Sequence, residues 1–160
     1  MKRVYLILAS GFGIGYLKPF PGGFGSLEGF FISWLFFNLL PFTRYIIIIF
    51  LIFLSLFIAN EAEKIYNRKD PHEIVIDEIV GVLTASLFIL NIRESLNIIF
   101  FKIPLSLFLA FLLFVVFDSF KPFPANYFQN FKGGLGMVLD DVISGIYAGL
   151  FVLILNMIKF

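Results

Sequence analysis

The chain has no cysteine and little charge. Without a thiol there is no disulfide, no thiolate metal site and no thiol nucleophile, which fits a reducing compartment. With His72 as its one histidine, a nitrogen-ligated metal centre has too few ligands. Only 14% of the residues are charged, against about 25% in a soluble domain. The net charge is +1, and the Lys and Arg residues stand at the ends of apolar runs. No basic stripe with interleaved aromatics exists, so nucleic acid is not an expected partner. What the chain has instead is apolar surface. It is 60% hydrophobic and 19% aromatic, with 24 phenylalanines among 160 residues. So few polar groups cannot cover a surface facing water. The composition implies an integral membrane protein with a single domain over residues 1–160. Met1-Lys2-Arg3 followed by 4–9 resembles a signal start, but the apolar part is short and breaks at Gly11-Phe12-Gly13. It is expected to stay uncleaved.

Residues 4–10 form an apolar stretch too short to span. Residues 11–26 hold six glycines and two prolines and are expected to be loop. Ser26 is the expected cap of the next helix, with Glu28 in its first turn. Apolar runs then cover 27–40, 43–59, 73–90, 96–120 and 138–158. The second is expected to continue as a wetter helix to Tyr66. Asn67 to Pro71 is a charged break, 91–95 a turn, Pro104 a kink, and 125–137 a loop. The expected fold is an all-α membrane bundle of about five embedded helices. The first and third are short for a crossing of about 20 residues, hence tilted or re-entrant. No internal repeat is present.

Orientation follows from the cations. With the N-terminus inside, Lys2, Arg3, Lys18, Lys64, Arg68, Lys69, Lys121 and Lys132 face the cytoplasm, and Arg44, Arg93, Lys102 and Lys159 face outward. Eight against four is the bias the positive-inside rule requires. The same threading puts Asp77, Glu78, Asp118, Asp140, Asp141 and both glycine-rich stretches at the cytoplasmic interface. Asp77-Glu78 opens one apolar run, Asp118 closes another, and Asp140-Asp141 sits near the start of the last. An ionised carboxylate in such a run costs roughly 2.5–3.5 kcal/mol on insertion scales, so each is a functional candidate. Five carboxylates at one depth repel one another unless a cation joins them. Mg²⁺ prefers oxygen ligands and is held by carboxylates together with substrate phosphate. Glycine-rich turns feeding helices can cradle the anion through backbone N–H groups, here at Gly22, Gly23 and Ser26 and at Gly133 and Gly134. Lys121 and Lys132 flank the acids and can contact phosphate. Taken singly, a glycine-rich stretch is more often a turn and a terminal lysine an interfacial anchor. His72, Glu61, Glu63 and Glu94 read as solvated. Asp140 alone reads as a cap.

Gly11-Phe12-Gly13-Ile14-Gly15, Pro21-Gly22-Gly23-Phe24-Gly25-Ser26, Glu73 through Gly81 with its Asp77-Glu78 pair, Asp118-Ser119-Phe120-Lys121-Pro122-Phe123-Pro124 and Gly133 through Gly145 with its Asp140-Asp141 pair together resemble the phosphatidylglycerophosphatase A family. The motifs stand in the family's order from about Gly11 to Gly149. The resemblance implies a Mg²⁺-dependent, multi-pass phosphatase of the bacterial inner membrane with its active site on the cytoplasmic face. It implies phosphatidylglycerophosphate and bilayer lipids as partners and phosphatidylglycerol as product. It places Asp77, Glu78, Asp118, Asp140 and Asp141 at the metal and the reaction. The chain departs from the family at Gly23, where threonine is usual, at Ile76 for tryptophan and at Val115 for arginine. Phe128 to Phe131 replaces an arginine-containing stretch, so more of the phosphate contact falls to Lys121 and Lys132.

One carboxylate beyond the metal ligands can activate water or attack phosphorus itself, and the residues leave both open. A lipid phosphoalcohol transferase is the rival enzyme, but its aspartates are spaced by helical turns after Asp-Gly, whereas these come as adjacent pairs. A cation transporter is the non-enzymatic rival, but it needs polar groups along a path, and 43–59 and 143–155 offer almost none.

Overall fold

Proline and glycine set the ends and spacings of the elements. The computed structural model describes residues 2–89, 95–98 and 101–158. In order these form α1 (Lys2–Ala9), a 3₁₀ turn (Ile14–Tyr16), α2 (Pro21–Phe36), α3 (Pro41–Tyr66), α4 (Ile76–Ser86), β1 (Ser95–Ile98), β2 (Phe101–Pro104), α5 (Leu105–Phe120), α6 (Ala125–Phe128) and α7 (Gly134–Ile158). Pro21 and Pro41 open α2 and α3, where a missing N–H costs nothing and a fixed φ suits the first turn. Asn67 closes α3 in the left-handed region, its N–H donating to the Glu63 carbonyl at 3.0 Å. Lys121 closes α5 the same way, onto the Phe117 carbonyl at 2.8 Å.

The class is all-α, as expected, but several boundaries differ: α6 (Ala125–Phe128) lies within the expected loop over 125–137, α4 covers only Ile76–Ser86 of the run 73–90, and three further differences have a clear cause. The glycine-rich stretch after Pro21 is not loop: it is the first turns of α2, and Ser26 is no cap. Its hydroxyl donates back to the Gly22 carbonyl at 3.0 Å inside the helix. Glycine costs about 1 kcal/mol in a helix, and here close packing offsets it. A Cβ at Gly25 would lie 2.6 Å from Val75 Cβ, and one at Gly29 would lie 2.8 Å from the Ile79 carbonyl oxygen. The glycines thus bring α2 onto α4. Second, 96–120 is not one kinked helix. A hairpin pairs Ser95 with Pro104 and Ile98 with Phe101, and α5 starts after it. Proline at 104 lacks the N–H a continuous helix needs and favours extended backbone at Ile103. Third, α7 starts at Gly134 rather than Val138. Of the expected turn over 91–95, residues 91–94, with Arg93 and Glu94, lie outside the described residues, as do Leu90 and Lys159, and Ser95 begins β1.

The 11-residue α4 is the centre of the bundle. It packs against α2, α3, α5 and α7, and from Ile79 to Ser86 every residue is buried. At about 1.5 Å per residue it is roughly 16 Å long, short of a hydrocarbon core of about 30 Å. Two helices among the described residues are long and apolar enough to cross a membrane, α3 with 26 residues and α7 with 25. The outer face of α3 supports that reading: Phe50 and Phe53 are 62% and 69% exposed. Arg44, at the start of α3, is buried. It donates to the Ile89 carbonyl at 3.1 Å and lies over the Phe37 ring at 4.7 Å.

Candidate active site

Three helix ends bring the acids together. Asp77 and Glu78 stand in the first turn of α4, where the helix dipole favours negative charge. That turn is held by the Val75 N–H, which donates to the Ala9 carbonyl at the end of α1 at 2.8 Å. Asp118 lies in the last turn of α5 and Asp140 and Asp141 in the second turn of α7. All five line one cavity of about 210 Å³, together with Lys121, Gly22, Asp70 and His72. Asp77, Asp140 and Asp141 are at most 6% exposed.

Within the cavity the acids divide into two groups. Asp77, Glu78 and Asp141 each offer a carboxylate oxygen, and those three atoms lie within 4.8 Å of one another. Two bare carboxylates at that distance repel by about 3 kcal/mol at an effective dielectric near 20. Asp140 and Asp118 instead meet a cation. Lys121 Nζ is paired with Asp140, donating to its Oδ2, and lies 3.6 Å from Asp118 Oδ1. Burial alone would lower the Lys121 pKa. The hydrogen bond to Asp140 and the charges of Asp141, Asp140 and Asp118 outweigh that, so the ammonium is held above its ordinary value and stays charged. One ammonium does not satisfy the set. Asp77 Oδ1, Glu78 Oε2, Asp118 Oδ1 and Asp140 Oδ1 are buried without a hydrogen-bond partner among the described residues. Buried polar atoms are rarely orphaned, and four carboxylate oxygens orphaned in one cavity are donors that would suit a hard cation.

The phosphate-binding candidates separate. Gly22 lines the acid cavity, and a Cβ there would overlap Glu78 Oε1. Glycine at this position therefore makes room for a carboxylate. Gly23 lines the neighbouring cleft, and Ser26 is buried inside α2. Lys132 lies in a different groove, with Glu63, Lys64, Asn67, Arg68 and Lys69. Gly133 and Gly134 pack on α3, where added Cβ atoms would overlap Asn60 Oδ1 and the Leu56 carbonyl oxygen. The second glycine stretch is a helix–helix contact that carries α7 close to α3. Asp70, in the expected charged break over 67–71, and His72, expected to be solvated, both line the acid cavity. Their sequence signal was weak: an Asp-Pro-His run just ahead of the Asp77-Glu78 pair. Asp70 is tied in place by its N–H, which donates to Glu63 Oε1 at 3.2 Å.

A helical chain that is apolar outside and lined with carboxylates at three helix ends is a phosphatase, a hydrolase of phosphate monoesters, by comparison with known proteins. It belongs to the phosphatidylglycerophosphatase A family, whose sequence model matches residues 7–156. The phosphatidylglycerophosphatase A of Haemophilus influenzae is 34% identical over 92% of this chain and 89% of its own length. The Escherichia coli protein of the same name is 28% identical over 91% of this chain and 80% of its own. A Bacteroides thetaiotaomicron protein, named provisionally as a phosphatidylinositol-3-phosphatase, is 32% identical over 92% of both chains. No solved protein structure matches the chain.

Proposed function

We propose that the chain removes the terminal phosphate of phosphatidylglycerophosphate, giving phosphatidylglycerol and inorganic phosphate, with Mg²⁺ as its cofactor. The observation that carries this reading is the approach of the Asp77, Glu78 and Asp141 carboxylates to within 4.8 Å of one another in one cavity, within a chain of the phosphatidylglycerophosphatase A family. Asp77, Glu78 and Asp141 would hold the ion, whose bound charge neutralises phosphoryl oxygens as negative charge builds on them. Lys121, kept cationic by Asp140, contacts a further phosphoryl oxygen. Asp118 is the most open of the Lys121 partners, at 29% side-chain exposure, and its Oδ1 has no hydrogen-bond partner. It is the carboxylate free to orient a water and accept its proton. The water oxygen bonds to phosphorus, the bond from phosphorus to the glycerol oxygen breaks, and that oxygen takes a proton from solvent. Direct attack by the same carboxylate on phosphorus would give an aspartyl-phosphate instead, which rapid quench in ¹⁸O-labelled water distinguishes.

The bilayer reading supports the substrate. In it α3 and α7 cross the bacterial inner membrane, and α2, α4 and α5 are embedded beside them. The acids then lie at the cytoplasmic interface, as the eight cations assigned to that side require. Acyl chains stay in lipid while the headgroup reaches the cavity. The Bacteroides relative favours a second headgroup: the lipid in its name also carries a phosphomonoester on a polyol joined to diacylglycerol by a phosphodiester. The test is phosphate release by purified protein in detergent from phosphatidylglycerophosphate, phosphatidylinositol 3-phosphate and soluble glycerol phosphate. The expected order puts phosphatidylglycerophosphate first and glycerol phosphate last. Equal turnover numbers and KM values for lipid and soluble substrates would overturn the lipid assignment.

A further inference from the structure

Beside the acid cavity lies a larger cleft of about 690 Å³, and the two share Pro21, Gly22 and His72 as a common wall. Their chemistry is opposite. The first is lined by carboxylates, while the second is lined by Lys18 and Arg68, with Glu73 as its one acid. Arg68 is paired with Glu73 and lies over the Tyr66 ring at 5.5 Å, which orients the guanidinium while its remaining donors stay available. Lys18 is exposed, and among the described residues no carboxylate pairs with it. The floor is open at Gly23, where an added Cβ would meet only Phe20 Cβ, at 3.7 Å. The first amide bonded back into α2 is that of Phe24, onto the Phe20 carbonyl at 3.1 Å, which leaves the Gly22 and Gly23 N–H groups at the helix end as further donors.

A cationic cleft sharing a wall with a phosphatase cavity has an evident occupant. The lipid headgroup assigned above carries two phosphates, the terminal monoester and the bridging diester, separated by a three-carbon glycerol. The monoester goes to the carboxylates and their cation. The diester, itself an anion, is repelled by the remaining acids and needs a cation of its own. We propose that the cleft of Lys18, Arg68 and the amino end of α2 is the subsite for the bridging phosphodiester of the lipid substrate, with Lys18 as its specificity-determining cation. This rests on the lipid phosphatase reading and adds to it what the enzyme reads in the lipid. Recognition then lies in a group that headgroups with different polyols have in common.

The test uses two competing lipids against hydrolysis of phosphatidylglycerophosphate in mixed micelles. Phosphatidylglycerol carries the diester without the monoester, and phosphatidic acid carries a monoester without a bridging diester. In Lys18→Ala the inhibition constant for phosphatidylglycerol and the KM for substrate should each rise about tenfold, as loss of a charge-assisted contact requires. The kcat and the inhibition constant for phosphatidic acid should stay within twofold. Lys18→Arg should restore phosphatidylglycerol binding. Lys69→Ala, which removes an exposed cation outside the cleft, should resemble the wild type. Equal weakening of both lipids in Lys18→Ala, no weakening of phosphatidylglycerol, or a wild type that phosphatidylglycerol does not inhibit would each overturn the subsite. A wild type that releases no phosphate from phosphatidylglycerophosphate would instead overturn the function on which it rests.

Discussion

Two glycine-rich stretches look alike in sequence, and the structure gives them different work. Pro21 to Gly25 begins α2, and its Gly22 sits against Glu78 at the wall of the acid cavity. Gly133 and Gly134, where α7 begins, lie against the Asn60 side chain and the Leu56 carbonyl of α3, while Gly136 lies against the Phe131 carbonyl. At Gly22, in the first stretch, the neighbour is the end of a carboxylate side chain. In the second it is largely main chain, which cannot yield. Glycine near a helix start thus marks close approach in both places, and only the identity of the neighbour separates a site from a packing contact.

The largest expected effect lies on the acid side of that contrast. Asp141→Asn should lower kcat by orders of magnitude while the protein still inserts and elutes as a folded species. The amide keeps the shape and removes the charge that a bound cation would need. Asp118→Asn should behave alike, and Glu61→Gln should resemble the wild type. Steady-state phosphate release measures all three. The next effect sharpens the comparison. Gly134→Ala places a Cβ on the Leu56 carbonyl and should destabilise the fold by about 1–3 kcal/mol, seen as a lowered thermal midpoint. Gly22→Ala should leave that midpoint nearly unchanged and reduce activity, because Glu78 swings aside. If the two variants exchanged phenotypes, the division between site and packing contact would fail. Lysines give a smaller contrast. Lys121→Ala should cost at least tenfold in kcat/KM, whereas Lys132→Ala, in a separate groove, should cost less than threefold.

The smallest effect concerns the loop between α3 and α4. Burial opposes ionisation of Glu73, but the hydrogen bond from Arg68 outweighs it and holds the carboxyl below its ordinary value. A depressed folded-state pKa means the pair stabilises at neutral pH and loses that contribution as pH falls below about 4.5. Both groups are partly exposed, so Glu73→Gln should cost no more than about 0.5 kcal/mol at pH 7 and nothing at acid pH. Paired thermal melts at the two pH values measure it.

Much of the site was legible because charge inside apolar sequence needs a reason. Asp77, Glu78, Asp118, Asp140 and Asp141 stand out on that ground alone, and the fold brings all five to one cavity. Helix starts were less legible. Proline with several glycines reads as loop, since neither favours helix in isolation, and only the nearness of Val75 and Ile79 explains why α2 begins at Pro21. The paired strands β1 and β2 were hidden in an apolar run with no helical or strand period of its own. Asp70 and His72 were hidden for the opposite reason: polar residues in a polar loop carry no signal until the chain folds back over the acids. The cation count assigns Arg44 to the outward side, and nothing in that count shows that its guanidinium is buried against Phe37 and the Ile89 carbonyl.

In the proposed function these carboxylates work as a set around a cation. Metal-stripped protein assayed for phosphate release from phosphatidylglycerophosphate tests it directly. Activity should vanish in excess chelator and return with Mg²⁺. Ca²⁺, which takes more ligands at longer distances, should restore it poorly. Full activity in excess chelator would contradict the account.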